Sequence, residues 1–252
     1  MTEIVLKTLR KIGVWHKNSI LDGGAMLCYH TNEVKGMRDF PVFTTQWGVA
    51  SLVLREVPYK GEAYITIRDT SNSSEFLREC VEFCRAVGAK YIYGTGHKVM
   101  EEYPLHTAVY RMRAALDALP DSDAMLSPVT EKTLEQWRSI NNDKMASVPN
   151  AATMSKSDAQ DMLQKGEGYF VYKDGVLLGI GKVGQESVSA IASVVPGAGE
   201  RVLCALCHGL LQSFVEVDVA SENKRALRFY ERLGFVKIAE ISRWYKIFED
   251  VK

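Results

Sequence analysis

Apolar and polar positions change rhythm along this chain, and each change marks an element. Val215, Val217 and Val219 alternate with Glu216 and Asp218, the period of two that a half-buried strand shows. The run stops at Ser221-Glu222-Asn223, and the period then lengthens. Ala226, Phe229, Tyr230 and Leu233 recur at helical spacing, while Lys224, Arg225, Arg228, Glu231 and Arg232 take the other faces. Asn223 is a favoured N-cap, because its side-chain oxygen accepts an orphan N–H of the first turn. Gly234 suits the left-handed position past the other end. Upstream, Ser187–Val195 reads as a strand and Pro196-Gly197-Ala198-Gly199-Glu200-Arg201 as a turn. From Val202 a helix follows, with Leu203, Leu206, Cys207, Leu210, Leu211 and Phe214 on one stripe.

Pro120-Asp121-Ser122-Asp123 marks a linker, so the expected domains are residues 1–120 and 121–252. After the linker come a short strand near Met125–Val129, a helix over Glu131–Met145, a loop Ala146–Met154 and a helix over Lys156–Lys165. Gly168–Tyr172 and Val176–Val183 form a hairpin around Lys173-Asp174-Gly175, a strong turn signal. A final strand spans Ala239–Phe248. In the first half, Trp47–Leu54 and Ala63–Arg68 flank Pro58-Tyr59-Lys60-Gly61. A helix over Ser74–Val87 follows, with Phe76, Cys80, Phe83, Cys84 and Val87 on one stripe, and Lys90–Tyr93 reads as the next strand. The order hairpin, helix, strand thus occurs twice, the first time as a weaker echo of the second.

Composition narrows the function classes. The chain has 252 residues, 46% of them hydrophobic, enough for one large or two small cores. Lys plus Arg number 31 and Asp plus Glu number 31, and a neutral chain without a basic stripe argues against nucleic-acid binding. No apolar run reaches membrane length and the N-terminus lacks a signal-peptide layout, so a cytoplasmic location is expected. The 5 cysteines show no framework spacing, as reduced thiols do. Cys204-Ala205-Leu206-Cys207-His208 satisfies the C-x-x-C-H pattern of haem attachment. It lies inside a continuous helical period, however, with Cys207 on the apolar stripe and His208 opposite, and packing explains it better.

Chemistry concentrates in Phe214–Phe235. Asn223 and Tyr230 lie seven residues apart, hence on one side of a helix and roughly 10 Å apart along its axis, within reach of one extended ligand. The segment resembles the last strand-helix unit of the GCN5-related N-acetyltransferase (GNAT) superfamily, matching at Asn223, Ala226, Tyr230, Gly234 and Phe235. The resemblance implies an α/β (α+β) fold with a mixed, mainly antiparallel sheet over residues 121–252, in tandem with a degenerate copy. It also implies acetyl-CoA as co-substrate, bound by Val194, Val195, Gly197, Ala198, Gly199, Glu200, Arg201, Asn223, Ala226 and Tyr230. In that family the tyrosine often protonates the departing thiolate, which a phenol can do as a general acid. The residue-level alternative is a core aromatic with a wet hydroxyl.

The turn departs from the family pattern. Pro196 stands where Arg or Gln is usual, Glu200 replaces an apolar residue and Arg201 a third glycine. Gly197 and Gly199 still let the backbone approach a phosphate at a helix start, whereas Glu200 opposes an anion if it points inward. In the first half Asp69-Thr70-Ser71-Asn72-Ser73 replaces any glycine loop, and no Asn-to-Tyr helix follows Tyr93. Gly94-Thr95-Gly96-His97 meets Glu101-Glu102 and reads as an ordinary loop. A base for the attacking ammonium is harder to find: Glu186 is the nearest acid to the strand Ser187–Val195, and Glu167 is the weaker second choice.

The expected activity is acetyl transfer to a primary amine of a small molecule or peptide, with the resemblance placing Ser147–Met154 beside the acceptor. No nucleic acid, membrane or metal is expected, and a homodimer is one arrangement open to the chain. A non-catalytic acyl-CoA-binding protein is the alternative. Aminoacyl transfer from tRNA is disfavoured by the neutral charge.

Overall fold

The computed structural model describes residues 19–20, 26–30, 40–185, 187–210 and 212–250. The chain divides into two compact units, residues 1–106 with 243–252, and residues 107–242.

The first unit runs β1 (Ser19–Ile20), β2 (Met26–His30), β3 (Phe40–Thr45), β4 (Gly48–Val53), α1 (Val57–Lys60), β5 (Glu62–Thr70), α2 (Ser73–Ala86) and β6 (Tyr91–Thr95). Strands β1 to β5 pair antiparallel in succession. The connection around Pro58 is one helical turn closed by Gly61 in the left-handed region, at φ 70. β5 and β6 are parallel, so a crossover is needed, and α2 supplies it. The Asn72 side chain caps α2 by accepting the Glu75 N–H. One face of α2, Phe76, Leu77, Cys80, Phe83 and Cys84, is buried against Phe43, Leu52, Ile65 and Ile92.

The second unit is built from β7 (Leu105–Ala115), β8 (Met125–Pro128), α3 (Leu134–Met145), α4 (Lys156–Lys165), β9 (Gly168–Lys173), β10 (Val176–Val183), β11 (Val188–Ser193), α5 (Gly199–Cys207), β12 (Phe214–Ala220), α6 (Lys224–Arg232) and the start of β13 (Val236–Glu249). From β8 onward this is the order expected from the sequence. α5 starts at Gly199 rather than Val202 and ends at Cys207, so Leu210 lies beyond it. Strands β8 to β11 form an antiparallel sheet. Successive side chains of β9 point to opposite faces. Phe170 joins Trp137, Met162, Ile180 and Ala192 under α3 and α4, and Val171 joins Leu178, Leu203 and Leu206 under α5. Trp137 is fully buried and its Nε1–H donates to the Tyr169 carbonyl at 3.0 Å. Gly181 lets α5 approach the sheet, since a Cβ there would stand 2.3 Å from Leu206 Cδ1.

Two strands change partners. β7 precedes the linker, yet it pairs with β12 from Ala115↔Phe214 to Val109↔Ala220. The end of β13 pairs with β6, from Tyr245↔Gly94 to Glu249↔Tyr91. Each unit is therefore completed by a strand from the other half of the sequence, and the expected boundary at 120/121 falls inside the second unit.

Candidate functional site

β11 and β12 are parallel neighbours joined, among the described residues, by one isolated bridge at Ser187↔Glu216. Beyond it no ladder forms. β11 stays with β10, and β12 stays with β7 in a different sheet. Their carboxyl ends form a fork, the position at which open α/β sheets take ligands. Each prong leads into a helix N-terminus, α5 after β11 and α6 after β12.

On the first prong Gly197 turns the chain at φ 80, a conformation only glycine adopts freely, and Ala198 forms the N-cap of α5. The Val202 N–H makes the first bond, to the Ala198 carbonyl, at 3.0 Å. The amides of Gly199, Glu200 and Arg201 precede that bond and are the orphan donors of the helix start. A Cβ at Gly197 would meet nothing within 4 Å, so the turn is open to a ligand. Arg201 Nε lies 3.4 Å from Asp123 Oδ1, and Lys173 Nζ pairs with the other Asp123 oxygen. Lys173, helped by Arg201, holds the Asp123 carboxyl below its usual range. Glu200 sits half-buried in the same first turn and opposes an anion there.

On the second prong Asn223 caps α6 as expected, its Oδ1 accepting the Ala226 N–H at 3.1 Å. That bond occupies one end of the amide and leaves Nδ2 for a ligand. The buried Ser221 fixes the strand exit: its Oγ accepts the Ala108 N–H at 2.9 Å and its N–H donates to the Ala108 carbonyl at 2.7 Å. Tyr230 is 9% exposed, with its ring 5.3 Å from those of both Phe229 and Phe235. Burial, with Cys207 alongside, pushes its phenol up to about 12. Phe229 also reaches the first prong, its ring 3.6 Å from a Cβ position on Gly199. Tyr230 is thus far more buried than a surface phenol, held in the apolar layer that joins α5 and α6.

The backbone of the fork differs from expectation. The Val194 and Val195 N–H groups both donate to the Leu178 carbonyl, at 2.9 and 3.4 Å, so they face β10 and are unavailable to a thioester. Backbone groups alternate sides along an antiparallel strand, which turns the Ser193 amide toward the fork. Between Ala192↔Ile180 and Ser189↔Lys182 the register slips, with Ala190 at φ 50. This is a bulge, and bulges re-aim the strand that carries them. No sequence signal marks it, since the residue in the left-handed region is alanine.

Of the acids, Glu186 lies outside the described residues. Glu167 Oε2 is 3.0 Å from Lys182 Nζ. Glu216, at the bridge itself, was not singled out by the sequence pattern. Its side chain is 13% exposed and bound by Arg113 at 2.5 Å and Arg111 at 3.5 Å. Both carboxylates are thus already engaged by partner cations. On the far side of the sheet, the loop after α3 is pinned at its end. Asn142 Oδ1 accepts the Met154 N–H at 2.8 Å and Asn142 Nδ2 donates to the Met154 carbonyl at 3.0 Å.

Cys204 and Cys207 are buried in α5, their thiols pushed by burial up to about 11 and about 12. Among the described residues no cluster of three or more His, Cys, Asp or Glu can hold a metal ion, and no helix is long and apolar enough to cross a membrane. A cleft of about 320 Å³ lies in the first unit, lined by Ser73, His97, Lys98, Val99, Glu101 and Glu102, and not at the fork.

Comparison with family models and with curated proteins finds no match. Solved structures do match. A functionally unknown conserved protein from Staphylococcus epidermidis is 11% identical, with 88% of this chain and 96% of that one covered and a TM-score of 0.52. A conserved protein from Enterococcus faecalis, named a probable N-acyltransferase, is 8% identical over 97% of this chain and 64% of its own, with a TM-score of 0.53. A GCN5-related N-acetyltransferase from Kribbella flavida is 11% identical over 89% of this chain and 59% of its own, with a TM-score of 0.52. The chain spans less than two thirds of the length of the last two. At such identities the likeness is one of fold: the chain has the mixed α/β fold of the GCN5-related N-acetyltransferases.

Proposed function

We propose that the second unit moves an acetyl group from acetyl-CoA to a primary amine by direct attack in a ternary complex. The observation that carries this reading is the open fork between β11 and β12, with an orphan-amide helix start on one prong and the Asn223–Tyr230 helix on the other. The residues fit an acyl-CoA. Gly199, Glu200 and Arg201 offer N–H groups to its phosphates, Asn223 Nδ2 a donor farther along, and the Ser193 amide a donor for the thioester oxygen. Glu200 is the one group that works against it.

Tyr230 supplies the proton side of the chemistry. A phenol at about 12 stays protonated at neutral pH, as a donor to the departing sulfur must. A thiol ionises near ~8.5, so full transfer from such a phenol is uphill by roughly 5 kcal/mol. Tyr230 therefore stabilises the thiolate by a hydrogen bond, and the proton shed by the amine completes the exchange. With Glu167 and Glu216 ion-paired, the amine enters neutral, and the rate of thiol release rises with pH toward the pKa of the amine.

The alternative, an acyl-CoA-binding protein without turnover, draws on the same paired acids and on Glu200. Calorimetry with acetyl-CoA, together with thiol release across a panel of amines and peptides, separates the two. Binding with release supports transfer, binding without release supports the alternative, and no binding defeats both. The first unit stands in this reading as a degenerate copy that holds no acetyl-CoA. Free thiols at Cys80, Cys84, Cys204 and Cys207 support a reducing compartment such as the cytoplasm.

A further inference from the structure

Residues 121–124, just before β8, lie along α5 as a strap. Ser122 Oγ donates to the Arg201 carbonyl at 2.9 Å and accepts the Ala124 N–H at 3.3 Å. Asp121 Oδ1 stands 3.8 Å from His208 Nε2, past the other end of the helix. The Asp123 carboxylate is thereby set between two cations, one oxygen toward Lys173 and the other toward Arg201. Lys173 is the last residue of β9. Arg201 belongs to the first turn of α5, where its own N–H is one of the three orphan donors. Lys173 and Arg201 are the cations placed at this turn, and Asp123 and Glu200 the acids, so their charges cancel. The turn has the donors of an anion site without the net positive charge of one. The cluster is open to solvent, with the Asp123 and Arg201 side chains each 56% exposed and that of Lys173 30% exposed. An exposed ion pair contributes little net stability, so another anion can replace the carboxylate.

We infer that Asp123 is a built-in competitor for phosphate: its carboxylate fills the seat that Lys173 and Arg201 offer, and a phosphorylated ligand binds by taking both cations from it. Carboxylate and phosphate oxygens accept the same charge-assisted bonds from lysine and arginine, and the phosphate brings more charge and more oxygens. The exchange requires only that the Asp123 side chain turn away, because Ser122 holds the strap on α5 independently. Affinity is thus held below what the turn reaches with both cations released. The inference rests on the acyl-CoA reading of the fork for the identity of the ligand, but not for the exchange itself.

Calorimetry with acetyl-CoA compares the wild type with Asp123→Asn, Lys173→Gln, the double variant and Asp121→Asn, with Tm recorded for each. Asp123→Asn is expected to tighten binding about fivefold and Lys173→Gln to weaken it about fivefold. In the double variant the gain from Asp123→Asn is expected to shrink, since one of the two released cations is gone. Asp121→Asn removes the same charge from the same strap but frees neither cation, and is expected to leave the affinity unchanged. An equal gain there assigns the effect to net charge and overturns the inference. Acetyl-3′-dephospho-CoA identifies the phosphate: a gain kept with it puts the pyrophosphate on the two cations, and a gain lost with it puts the 3′-phosphate there. Inorganic pyrophosphate and adenosine 3′,5′-bisphosphate separate this inference from the function proposed above. Tighter binding of either by Asp123→Asn than by the wild type upholds the competitor even where acetyl-CoA fails to bind. If Asp123→Asn tightens no phosphate compound while acetyl-CoA is bound and turned over, the competitor alone falls; if acetyl-CoA is not bound either, both readings fall.

Discussion

Among the described residues, two parallel strand pairs are each linked by a helix, and they differ at the point where a ligand would enter. In the first unit β5 and β6 are zipped from Glu62↔Tyr91 to Thr66↔Thr95. Gly96 lets the strands close, since a Cβ there would stand 2.6 Å from the Ile67 carbonyl oxygen. In the second unit β11 and β12 share the bridge at Ser187↔Glu216 and then part. The connection order is the same, so topology alone does not make a slot. The bulge at Ala190 and the separate sheet partners of the two strands do.

The strongest way to break this contrast is to push β10 off β11. A Cβ at Gly179 would stand 2.4 Å from the Ala192 carbonyl oxygen and 2.8 Å from Val202 Cγ2. Gly179→Val is expected to cost about 3 kcal/mol in chemical denaturation and to abolish acetyl-CoA binding, whereas Gly96→Val costs stability but leaves that binding intact. If both variants bind acetyl-CoA like the wild type, the fork is not the site.

Next in size, Tyr230→Phe is expected to slow thiol release about a hundredfold with little change in acetyl-CoA affinity by calorimetry. The same residue has a signature in alkaline unfolding. Its phenol ionises at about 12 when folded against an ordinary 10.0, so above pH 10 the unfolded chain gives up a proton that the folded one keeps. Its contribution is complete below that pH and falls by about 1.4 kcal/mol per unit until the folded value is passed. Tyr93, raised to about 12, acts in the same direction. Tyr230→Phe should therefore soften, not remove, the loss of Tm at high pH.

Smaller still, Asn223→Ala removes a cap and should lower stability by about 1 kcal/mol, weakening acetyl-CoA binding only through Nδ2. The least effect is expected from grafting Gly197–Arg201 in place of the loop that follows β5. If the zipped pair excludes the ligand, no binding appears in the first unit of a chain whose own fork is blocked by Gly179→Val, and a recovered calorimetric signal would refute that.

The order of elements after the linker was legible because each carries a local signal: alternation in β12, the Asn223 cap, the Lys173-Asp174-Gly175 turn. The candidate helices and the two prongs followed from it. What was not legible depends on partners. β7 alternates Ala108, Tyr110, Met112 and Ala114 with Val109, Arg111 and Arg113, a strand pattern, but nothing local tells that Arg111 and Arg113 face Asp218 and Glu216 across the pairing. The direction of the Val194 and Val195 amides depends on which edge β10 occupies, and the clamp of Asn142 on Met154 forms only once the loop folds back on α3. Local periodicity encodes elements, whereas register and burial are properties of the pairing.

The exchange of β7 and β13 bears on how the chain acquires its structure during synthesis. β6 gains its second neighbour only from Tyr245 to Glu249, so the unit that begins first on the ribosome is finished last. Until then β6 presents an unpaired edge, the kind of surface that recruits other strands and aggregates. A chain interrupted just after β12 should hence fail first in its amino-terminal part, and chaperone dependence should fall sharply once the closing strand has cleared the exit tunnel.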